Sequence, residues 1–104
     1  MTTFQAREEA FERKFALDEE IEFKAKARCD HLLGLWAAPK LGLVGPAIEN
    51  YAKALIVSDV EAHDIVDKIS EDFAAKGVTQ SKEQIRRAMA ELMASARAEI
   101  RAGR

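Results

Sequence analysis

The chain has 104 residues, 48% hydrophobic and 33% charged, with 18 acidic against 16 basic side chains. That length makes one domain, able to bury about two-thirds of its unfolded surface, with no room for a cofactor domain beside a substrate domain. A net charge of −2 argues against nucleic-acid binding by phosphate neutralisation, and a lone cysteine, Cys29, excludes a disulfide-stapled scaffold.

With five Gly and two Pro, and abundant Ala, Glu, Lys, Arg and Leu, the chain favours helix over short strands. The first element covers about residues 3–37, with no Gly before Gly34 and no Pro before Pro39. Proline pushes its predecessor out of helical angles, so this helix is expected to end or kink at Pro39. Its apolar residues form two sets. Phe4, Phe11 and Phe15 recur at intervals of seven and four, which places them on one helix face. Ile21, Ala25, Leu32, Leu33 and Trp36 form a second stripe better suited to burial. Between them, residues 7–22 are dense in both signs of charge. Such a helix would span about 50 Å, more than so small a domain needs.

Pro46 is expected to open helix two, at the first helical position, and Ile48, Tyr51, Ala52, Leu55 and Ile56 mark its apolar face. Ser58 is expected to cap helix three, with Glu61 reaching back to the cap amide. Ile65, Ile69 and Phe73 then stack at intervals of four, and Gly77 supplies a left-handed stop. Ser81 and Gln84 repeat the capping pattern for helix four, whose stripe is Ile85, Met89, Leu92, Met93, Ala96 and Ile100. The fold expected is all-α, a four-helix bundle with a long first helix whose N-terminal part is mobile or projecting. The most apolar run, residues 32–48, is broken by Pro39, Gly42, Gly45 and Pro46 and is too short to span a bilayer. The N-terminus lacks the apolar core of a secretory signal, so a soluble cytoplasmic protein is expected.

Chemistry-bearing residues are sparse. Cys29 and His31 lie two apart, on different faces of a helix, and do not make a nucleophile with its base. Neither His31 nor His63 has the glutamate three residues earlier that a bundle metal site favours. His63 and Asp67, four apart, are expected to share a solvated acidic helix face. No GxxxxGK[ST] phosphate loop is present. From Lys82 onward there are six bases and three acids, which complements the negative end of the last helix dipole. The N-terminal phenylalanines have two open fates. They fold onto the bundle as core, or they sit on a projecting segment and enter a partner's groove.

The run over residues 4–38 bears on that choice. It reads Phe-Gln-Ala-Arg-Glu-Glu-Ala-Phe-Glu-Arg-Lys-Phe-Ala-Leu-Asp-Glu-Glu, then Phe23-Lys24-Ala25, Ala27-Arg28, Leu32-Leu33-Gly34 and Trp36-Ala37-Ala38. It resembles the zeta subunit of the alphaproteobacterial F-type ATP synthase, a natural inhibitor of its ATPase. After Pro39 the likeness is mainly one of pattern, and the chain departs from the family at Cys29 and Asp30, where Arg and Asn are usual, and at Pro39.

The resemblance implies an inhibitory arm, residues 1–19, on a bundle of residues 20–104, with no catalysis and no cofactor. In the family such an arm enters a catalytic interface between alpha and beta subunits of the rotary head, with gamma a further candidate neighbour. There it blocks the closing motions of hydrolysis as a wedge. Carried onto this chain, Phe4, Phe11 and Phe15 become apolar anchors, and Arg7, Glu8, Glu12 and Lys14 polar contacts that set register. The same resemblance implies a cytoplasmic monomer when free, reaching the membrane only through the synthase. Two alternatives remain open: a small regulator that binds a nucleotide or another anion near helix four, and a structural adaptor without effect on catalysis.

Overall fold

Helical spacing of apolar residues, interrupted around Gly42–Pro46, before Ile65 and at Gly77, divides the chain into four helices. The computed structural model describes residues 3–61 and 63–103, with side chains from Arg7 onward. Helix α1 runs Thr3–Lys40, α2 Pro46–Val60, α3 Ile65–Ala75 and α4 Lys82–Arg101. The fold is all-α, as the periodicity implied. α1 packs chiefly against α2 and α4, and α3 closes on α4.

The core lies where three or four helices meet. Leu33 from α1, Leu55 from α2, Ile69 and Phe73 from α3, and Ile85 from α4 are almost wholly buried. Trp36 packs edge-on to Phe73 with ring centroids 5.9 Å apart, and Lys40 covers the other side of that indole at 4.9 Å. One close approach brings α1 and α2 together. Gly34 faces Ala52 so tightly that a β-carbon on it would stand 2.4 Å from the Ala52 Cα, which is why this position has no side chain. A second, smaller cluster joins Ala25 and Cys29 of α1 to Ala96 of α4, with Met93 and Ile100 around it. Polar ties bind the rest. The Tyr51 hydroxyl donates to Asp72 at 2.7 Å, joining α2 to α3, and Lys68 bonds the same carboxylate at 3.1 Å.

Three expectations about element ends are corrected. α1 runs through Pro39 to Lys40. The proline forfeits one amide bond in the last turn only, and the end is then closed by Gly42 N–H to the Pro39 carbonyl at 3.0 Å and Leu43 N–H to the Ala38 carbonyl at 3.1 Å. Gly42 takes the positive φ of 81° that this closure requires, and the burial of Leu41 holds it in place. Ser58 does not cap α3; it lies in the last turn of α2. The α3 cap is Asp64, whose carboxylate accepts from the Asp67 amide at 3.1 Å. Asp59, held by Lys26 of α1 at 2.8 Å, keeps α2 helical past Ser58. For the same reason His63 falls in the connection before α3, so it and Asp67 share no helix face. The capping box of Ser81 and Gln84 forms as expected.

The whole measures 64 × 25 × 23 Å with a radius of gyration of 17.5 Å, against about 13 Å for a compact domain of 100 residues. α1 causes the difference: its 38 residues extend about 57 Å, well beyond what α2, α3 and α4 flank.

Candidate partner-binding segment

The face of α1 that meets the bundle continues past the point where the bundle ends. α4 runs back along α1, so that Cys29 meets Met89 and Glu22 meets Arg97. The Arg97 guanidinium donates to both Glu22 oxygens, at 2.8 and 3.2 Å. Among the described residues, this is the side-chain hydrogen bond between the two helices that lies nearest the N-terminus of α1. Arg97 holds the Glu22 carboxyl below its ordinary range by hydrogen bonding. Ile21 is half-buried, and every residue from Arg7 to Glu20 is exposed.

Phe11 and Phe15 lie in that exposed stretch, 72% and 59% accessible. Eighteen residues make about five helical turns, so Phe11 stands in line with Cys29, and Phe15 with Leu33. Cys29 and Leu33 are buried. The stripe that builds the core is therefore the same stripe that carries two bare phenylalanines. Phe4 belongs to it by spacing, but its side chain lies outside the described residues, as do Met1 and Thr2 of the expected arm. Arg7, Glu8, Glu12 and Lys14 are exposed around the stripe. One-turn ion pairs support the helix there: Glu9 with Arg13 at 3.7 Å and Glu20 with Lys24 at 2.9 Å.

The structure adds two large exposed groups that spacing did not single out, Leu17 and Phe23. Leu17 lies two residues past Phe15, hence on the far side of the helix. Phe23 borders a shallow apolar groove with Ala27, Ile56 and Val60. The signal for Phe23 was present in the sequence, since it fits neither apolar stripe of α1.

Chemistry-bearing residues are occupied elsewhere. Cys29 is buried, its thiol donates to the Met89 carbonyl at 3.5 Å, and burial pushes it up to about 11. His31 faces Glu49 at 2.8 Å. Among the described residues no three His, Cys, Asp or Glu side chains gather as a metal site. None of the described helices is long and apolar enough to cross a membrane.

Among the described residues, the geometry thus leaves an apolar stripe of α1 uncovered. The sequence model of one family, ATPase inhibitor subunit zeta, matches residues 1–99. The chain belongs to the ATPase inhibitor subunit zeta family. The zeta match takes in the exposed half of α1 together with the bundle, and stops just before the end of α4. Zeta is an inhibitor family and not a catalytic one, so an exposed surface is the natural place to look for its action. Among curated proteins, no match to this zeta chain is found.

Proposed function

We propose that this zeta-family chain inhibits ATP hydrolysis by the F-type ATP synthase, its residues 2–19 entering an alpha/beta catalytic interface of the head. The observation that carries this is the bare Phe11–Phe15 stripe on a helix already in register with the core. Burying a large apolar side chain contributes about 1.5–3 kcal/mol, so two or three phenylalanines can outweigh an ordering cost of about 2–5 kcal/mol. That cost is reduced here, because the packed part of α1 serves as the helix nucleus and the arm only propagates it. Arg7, Glu8, Glu12 and Lys14 fix the register of the inserted helix, and the rings supply the affinity.

Inhibition of this kind needs no chemistry from the chain. A helix lodged between alpha and beta keeps the interface from closing on nucleotide, and a site that cannot close cannot assemble its catalytic geometry. The bundle stays outside and sets how far the arm can enter. The chain then acts without cofactor, as a peripheral component on the cytoplasmic face of the synthase. A photo-reactive side chain at position 11 tests this reading. It is expected to cross-link to the alpha or beta subunit of the isolated head during hydrolysis. Cross-links confined to other subunits would overturn it.

A further inference from the structure

Asp30 is the only buried charged side chain among the described residues, 3% exposed on α1. Asp59, in the last turn of α2, lines the same two clefts as Asp30, close enough for the two carboxyls to share a hydrogen bond. Ionised carboxylates only accept, so this contact requires a proton, with the Asp30 O–H donating to the Asp59 carboxylate. Lys26, one turn before Asp30, bonds both oxygens of Asp59 through its Nζ, at 3.0 and 2.8 Å. The pair lies in the wall of a cleft of about 320 Å³ between α1, the end of α2 and α4.

The charged or titratable groups facing Asp30 can be named element by element. α1 supplies Lys26 and the Cys29 thiol, α2 supplies Asp59, and the connection to α3 supplies His63 and Asp64. α3 offers only Ile65 and Val66, and α4 brings Arg86 and Arg97. Arg97 is engaged by Glu22. Asp59 also sits at the negative end of the α2 dipole, where a second charge is unwelcome.

We propose that Asp30 and Asp59 form a proton-operated latch between α1 and the end of α2. Sharing one proton, they bond to each other and tie the two helices; without it they repel and leave the Lys26–Asp59 ion pair alone to hold the last turn of α2. Burial first, and then the Asp59 hydrogen bond and charge, push the Asp30 carboxyl up to about 7. Burial opposes ionisation of Asp59 as well, but hydrogen bonds from Asp30 and Lys26 hold it below its ordinary range. In the unfolded chain Asp30 titrates near the ordinary aspartate value of about 3.9. The folded chain keeps that proton to higher pH than the unfolded one. The latch therefore contributes fully below about pH 4 and is lost as pH rises through about 7.

The test compares the full chain with Asp30→Asn and His63→Gln. Asparagine donates to Asp59 at every pH, and histidine is the other side-chain type that changes charge in this range. Between about pH 5.5 and about pH 8.5 the wild-type melting temperature is expected to fall by about 5 °C or more. Asp30→Asn should remove that fall and His63→Gln should keep it. Near the upper pH, amides at 56–61 should exchange faster in the wild type than in Asp30→Asn. The carboxyl carbon of Asp30, followed by NMR in the wild type, should titrate near neutrality. A fall that survives in Asp30→Asn, or an Asp30 resonance that titrates near pH 4, overturns the latch. Should Asp30→Asn fail to fold, the wild-type resonance decides alone.

Discussion

Phe11 and Phe15 show what a residue's environment adds to its identity. Both are large and apolar, and both stand on the face that eighteen residues later builds the core, yet neither touches it. Changing both to alanine should leave the melting temperature almost unmoved, since exposed positions typically contribute within about 0.5 kcal/mol. The same double change should weaken inhibition of the head by about 100-fold or more, because two buried rings are lost from the complex. A melting curve and a dose–response curve on one preparation check both halves. At this scale the sequence was legible for the core: Leu33, Leu55, Ile69, Phe73 and Ile85 are buried, as their spacing implied. It was silent on which phenylalanines would be covered, because periodicity reports a face and not what packs on it. Asp30 was equally hidden. Its partner, Asp59, comes from another helix, and only the fold brings the two carboxyls together.

Among the elements, α4 is the one whose boundaries were plain in advance. Ser81 and Gln84 form a closed capping box, and local hydrogen bonds of that kind need no tertiary help. The α2–α3 junction was not plain, because the chain offers two caps within seven residues. Ser58 with Glu61 lost to Asp64 with Asp67, for a tertiary reason: Lys26 on α1 holds Asp59 at 2.8 Å and carries α2 on to Val60. The mutational consequence is specific. Asp64→Ala should cost about 1 kcal/mol, the usual value of an N-cap, whereas Ser58→Ala should leave the start of α3 unchanged. Denaturant melts of both variants, with amide chemical shifts at 64–67, separate the two caps. The end of α1 carries a similar lesson. Pro39 does weaken the last turn, but the glycine closure at Gly42 and the burial of Leu41 secure the residues that follow.

Taken whole, the molecule is a small bundle with one helix too long for it. Its radius of gyration of 17.5 Å is set by α1, whose residues 7–20 are all exposed. The proposed function requires a bundle that folds without the arm and an exposed stripe that serves a partner, and the two can be tested separately. The most direct measurement removes residues 1–14 and assays ATP hydrolysis by the cognate head with the full and the shortened chain. The shortened chain is expected to melt at nearly the same temperature, since residues 7–14 are exposed and add nothing to the core, and to inhibit no longer. Inhibition by the shortened chain equal to that of the full chain would contradict it.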